Sequence, residues 1–67
     1  MQVTLNGTVH HFDAPPATVA ELVLALNLAG KRIAVEMNGE IVPKSRYAQT
    51  AIKFGDQFEI VAAVGGG

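Results

Sequence analysis

Hydrophobic and polar positions alternate from the first residues: Val3 and Leu5 are separated by Gln2 and Thr4, Asn6-Gly7 interrupts, and Val9 to Phe12 resumes in β-favouring residues. Alternation puts successive side chains on opposite faces of a strand, and Asn-Gly between two such runs suits a type I′ turn, whose central residues both need positive φ. The pattern predicts two strands joined as a hairpin. Asp13 to Pro16 breaks it. Thr18, followed three residues later by Glu21, then matches a capping box, in which each side chain satisfies an orphan N–H at the other's position. A helix is predicted from near Val19, with Val19, Leu22, Val23 and Leu26 as one apolar stripe at i, i+3, i+4 and i+7. It ends between Asn27 and Gly30, where glycine can take the left-handed capping conformation.

Alternation returns at Ile33, Val35 and Met37, set between Arg32, Ala34 and Glu36; a second Asn-Gly, Asn38-Gly39, leads into Glu40 to Val42, and Pro43 stops the run because it cannot donate to a ladder. This predicts a second hairpin. Lys44 to Thr50 shows no period and reads as irregular, and Gly55-Asp56 marks a turn. In the last strand, from Gln57 to Val64, Phe58, Ile60, Ala62 and Val64 share one face, and Gln57, Glu59, Val61 and Ala63 share the other. From Ile60 onward both faces are apolar, as expected for a strand with neighbours on both sides or one whose outer face meets a partner. Strand, strand, helix, strand, strand, irregular segment, strand is the order of an α+β domain, most economically one helix on one face of a mixed sheet.

Composition narrows the function classes. A chain of 67 residues makes one domain, and at that size folding buries only about 60% of the unfolded surface, leaving no room for an enzyme-sized cleft. Nearly half the residues are hydrophobic and 16% are charged, so the chain is globular and not disordered. The absence of cysteine excludes disulfides and thiolate chemistry. A net charge of −1 argues against a nucleic-acid partner, and no apolar stretch approaches the ~20 residues of a membrane span. With no basic-then-apolar leader pattern at Met1 to Leu5, the expectation is a soluble, cytoplasmic protein.

Candidate chemistry inside the domain is sparse. His10 and His11 are adjacent on a strand and face opposite ways, which disfavours one metal, and no third ligand is evident. Lys44, Arg46 and Lys53 gather around the irregular segment as a solvated loop or a surface for an acidic partner. Phe12, Tyr47, Phe54 and Phe58 read as core and rim aromatics, and Met37 as core. Ser45 with Asp56 does not make a nucleophilic set, so no catalytic site is expected in the chain.

The remaining feature is the tail, Gly65-Gly66-Gly67. Glycines at a chain end read as a frayed terminus, as a leftover of cloning, or as a device. As a device they span up to about 10 Å extended and pass through a channel too narrow for a β-carbon. They would deliver the Gly67 carboxylate, ionised at neutral pH given a reference pKa of about 3.3–3.7, and a poor acyl electrophile until activated, for instance by ATP.

The run Ile33-Ala34-Val35-Glu36-Met37-Asn38-Gly39-Glu40-Ile41-Val42-Pro43-Lys44-Ser45-Arg46-Tyr47, then Gly55-Asp56-Gln57-Phe58-Glu59-Ile60-Val61 and the tail Val64-Gly65-Gly66-Gly67, resembles the thiamine-biosynthesis sulfur-carrier family (ThiS). The resemblance covers essentially the whole chain. It implies a ubiquitin-like β-grasp domain over residues 1–64 and a flexible glycine tail over 65–67. It also implies a carrier and co-substrate without its own active site or bound cofactor. In that family a ubiquitin-activating-like adenylyltransferase uses MgATP to adenylate the terminal carboxylate, here Gly67, and sulfur from a persulfide-donating enzyme displaces AMP. Thiazole synthase then takes sulfur from the thiocarboxylate. Gly65 and Gly66 would thread, while Val61, Ala63 and Val64 are the expected docking positions, with a core role for Val61 and Ala63 left open. Alternatives are a carrier for molybdopterin or tRNA thiolation, a ubiquitin-like protein modifier joined to lysines through Gly67, and an interaction domain with an inert tail.

Overall fold

The computed structural model describes residues 1–62. The readings made for Ala63, Val64, Gly65, Gly66 and Gly67 lie outside the described residues. The elements are β1 (Gln2–Leu5), β2 (Thr8–His11), α1 (Val19–Ala25), β3 (Ile33–Met37), β4 (Glu40–Val42), a 3₁₀ helix (Lys44–Gln49) and β5 (Gln57–Ala62). They form a mixed five-stranded sheet in the order β2-β1-β5-β3-β4.

Both hairpins form as their Asn-Gly pairs dictate. Asn6 and Gly7 have φ of 49° and 81°, and Asn38 and Gly39 have 54° and 88°, the two positive values that match a type I′ turn to the strand twist. The turns set the registers, with Leu5 opposite Thr8 and Met37 opposite Glu40. The last strand, β5, falls between the hairpins, parallel to β1 and antiparallel to β3.

Helix α1 begins at Thr18, whose Oγ1 accepts the Glu21 N–H at 3.3 Å. The Glu21 carboxylate reaches back one residue further than a capping box requires, accepting the Ala17 N–H at 3.0 Å. Thr18 is held in extended backbone by a bridge to Ala51, with Ile52 N–H donating to Ala17 O and Val19 N–H to Thr50 O. The entry to the helix is thereby tied to the segment after the 3₁₀ helix. At the other end Asn27, not a glycine, takes the left-handed position at φ 63°. Leu28 N–H donates to Val23 O and Asn27 N–H to Leu24 O, the two bonds of a Schellman motif. Gly30, at φ 80°, serves the following turn, closed by Lys31 N–H to Leu28 O.

The helix covers one sheet face. Val19, Leu22 and Val23 are buried with Val3, Val35, Val42, Ile52, Phe58 and Ile60, and Leu26 is half-buried against them. Each such side chain contributes roughly 1.5–3 kcal/mol by leaving water. No polar or charged side chain among the described residues is buried.

Three readings change. Lys44 to Gln49 is a 3₁₀ helix with Pro43 at its N-cap, and it eluded periodicity because three residues per turn matches neither template and only Tyr47 is drawn toward the core. Phe54 is 72% exposed, since it precedes the Gly55-Asp56 turn on a loop tied to the start of β1 by Gly55 N–H to Gln2 O. Met37, like Phe12 and Tyr47, packs half-buried against the core without being enclosed by it. Ala62 shares the inward register of Phe58 and Ile60 yet is exposed.

Candidate functional site: the end of the central strand

Strand β5 leads toward the glycines, so its surroundings define what a partner meets first. Inward positions Phe58 and Ile60 anchor it in the core, and Gln57, Glu59 and Val61 face away from α1. Its pairing is lopsided along its length. The β1 register stops at Leu5 opposite Phe58, while β3 continues, with Ala34 opposite Val61 and Ile33 opposite Ala62.

Two turn asparagines extend the grip. Asn6 Nδ2 donates to Ile60 O at 3.0 Å and its Oδ1 accepts Ile60 N–H at 2.8 Å, so the amide acts as one more peptide unit of β1. At the strand's start, Asn38 Oδ1 accepts Gln57 N–H at 2.9 Å while its Nδ2 donates to Asp56 Oδ1 at 3.0 Å. Asp56 Oδ2 also accepts the Lys53 N–H at 2.8 Å. Asp56 is thus engaged in shaping a turn. These contacts were not legible as such, because asparagine before glycine reads as a turn residue whatever its amide does.

The outer face beside this strand is part apolar. Val61 is 57% exposed next to Ala34, and Ile41 is 72% exposed in the same cross-strand row as Glu36 and Glu59. The core reading for Val61 therefore falls: lying in the middle of the sheet supplies neighbours at its edges but no cover for its outer face. Exposed apolar positions so placed suit contact with another protein.

The other candidates separate. His10, half-buried, and His11, exposed, stand opposite Val3 and Gln2 on β2. Among the described residues no group of three or more His, Cys, Asp or Glu could hold a metal ion. Lys44 lines one groove, Arg46 lines a different cavity with Met37 and Glu40, and Lys53 sits by the Asp56 turn. Lys44 instead shares its groove with Lys31 and Arg32, a grouping sequence distance concealed. No helix of the described residues is long and apolar enough to cross a membrane.

Comparison with known proteins places this geometry. The chain is 48% identical over its whole length to a thiazole synthase of Paramagnetospirillum magneticum, although it spans only 20% of that protein. It is 36% identical over 63 residues to the sulfur carrier protein ThiS of Bacillus subtilis, covering 94% of this chain and 96% of that one. The crystal structure of thiamine biosynthesis protein ThiS from Geobacter metallireducens superposes with a TM-score of 0.87 at 35% identity, each chain covered completely. The five-stranded mixed sheet with its one helix is therefore the β-grasp of that structure. The ThiS family matches residues 3–67, tail included. This chain belongs to the ThiS family.

Proposed function

We propose that the protein is a sulfur carrier for the thiazole step of thiamine biosynthesis, and that its reactive group is the Gly67 carboxylate. The observation that carries this is the family match through the last glycine, joined to a β-grasp domain whose central strand leads to the tail. In the cycle, a partner adenylyltransferase uses MgATP to make the Gly67 acyl adenylate, releasing pyrophosphate. The terminal sulfur of a persulfide attacks the acyl adenylate and displaces AMP to give an acyl disulfide, and a thiol then cleaves that S–S bond by exchange, releasing the thiocarboxylate and ending as a disulfide itself. Thiazole synthase takes up the sulfur and the carboxylate returns. Adenylation is needed because a carboxylate repels a sulfur nucleophile and offers no leaving group, whereas AMP is one. Gly65 and Gly66 contribute by passing where a β-carbon would collide.

Thiazole synthase is favoured as the acceptor because a protein of that name contains a stretch like the whole of this chain within its own length. Val61, with Ala63 and Val64 beyond it, is the proposed docking position, its exposure and its place on the outer face of β5 supporting that role.

Intact-mass spectrometry after incubation with ATP, the adenylyltransferase, a persulfide donor and a thiol tests the reading. The expected product is exchange of one oxygen for sulfur at Gly67. Covalent attachment to lysines of other proteins would instead indicate a modifier, and an unchanged mass would overturn both. Loss of the protein should create a thiazole requirement; growth without one would redirect the sulfur to another pathway.

A further inference from the structure

On the helix side of the sheet, between the end of α1, the start of β3 and the 3₁₀ helix, lies a groove of about 440 Å³. Val23, Leu28, Ile33 and Ala20 make its floor, Tyr47 one wall, and Lys31, Arg32 and Lys44 its rim. Three of the chain's five lysines and arginines therefore meet in one place in a molecule of net charge −1. Among the described residues no carboxylate lines it. Glu36 and Glu59 lie side by side on the opposite sheet face.

We propose that this groove receives an acidic segment of a partner protein, with an aliphatic side chain on the floor and carboxylates against Lys31 and Lys44. The floor is apolar and has the volume of a binding cleft, so it gains from covering hydrocarbon, which a bare anion lacks. Lys31 and Lys44 are exposed point charges on long stems, suited to a run of carboxylates and not to enclosing one small anion. An acidic partner is drawn to this side and repelled from the Glu36 and Glu59 face, which fixes its approach. Ile33 on the groove floor pairs with Ala62, so the occupant lies beside the end of β5. The site requires no chemistry at Gly67, and its test does not depend on sulfur transfer.

The experiment is a titration of the ¹⁵N-labelled protein, followed by amide chemical shifts, with a blocked hexapeptide of alternating Glu and Leu. Parallel titrations use the peptide with Gln in place of Glu, and inorganic pyrophosphate. The expected result is saturable shifts over Ala29–Ile33 and Lys44–Tyr47 with the acidic peptide alone, weakened by salt. The double variant Lys31→Glu, Lys44→Glu should bind at least about tenfold more weakly while keeping a dispersed spectrum, since both side chains are exposed. Four results would overturn the proposal: absence of saturable shifts in the groove, an equal response to the Gln peptide, an equal response to pyrophosphate, or undiminished binding by a folded double variant.

Discussion

Asn6 shows how much one side chain can carry beyond its local role. Its positive φ makes the turn, and its amide exchanges two hydrogen bonds with Ile60, 54 residues away. Replacing it with glycine keeps the backbone conformation and deletes the amide, so Asn6→Gly should cost roughly 1–3 kcal/mol in urea denaturation. The Ile60 amide should exchange faster with solvent in that variant; unchanged protection would mean the amide is dispensable. At the other end of the chain, removing Gly67 should abolish thiocarboxylate formation and leave the denaturation midpoint in place, because the described core ends at Ile60. A shifted midpoint would show that the tail supports the fold. At this scale the sequence reveals turn asparagines, because positive φ is a local demand. It conceals their partners, because those depend on which strand arrives alongside.

Among the elements, α1 is the one whose loss would empty the core. Leu22 is fully buried between helix and sheet, and Leu22→Ala should cost about 2–5 kcal/mol by leaving a cavity, measured by urea or thermal unfolding. In a domain this small that is a large part of the total stability. The 3₁₀ helix presents Tyr47, whose phenol burial pushes above its ordinary pKa of 10.0. A group raised in the folded state contributes stability that is intact below the unfolded value and lost as pH rises past it. Stability should therefore be insensitive to Tyr47 below about pH 10 and decline above it. Tyr47→Phe should flatten that alkaline decline. Tyr47 is the chain's single tyrosine, so a tyrosinate absorbance titration reads it directly, and a midpoint at or below 10.0 would contradict the burial effect. The stripe of α1 was legible because it repeats at 3.6 residues. The 3₁₀ helix was not, since its turns satisfy no amphipathic template and one aromatic does its packing.

For the molecule as a whole, the sheet divides two surfaces of different character: an outer face with exposed Val61 and Ile41 around Glu36 and Glu59, and a helix side with a basic groove. Val61→Lys should leave stability within about 0.5 kcal/mol, as an exposed substitution does, and weaken binding to the adenylyltransferase. Equal affinity by calorimetry would move the docking site elsewhere. The sequence by itself determined the two hairpins, the helix and its buried stripe, and the α+β class, since each rests on φ preferences and periodicities that act within a few residues. Its match to a known family across the chain also pointed to Gly67, which the three glycines alone did not. Only the tertiary structure decided that β5 runs between the hairpins, that Val61 and Phe54 are exposed, that Asn6 and Asn38 latch the central strand, and that Lys31, Arg32 and Lys44 ring one groove. The physical reason is common to all four: burial, pairing and charge proximity are set by segments distant in sequence, and no local pattern carries that information.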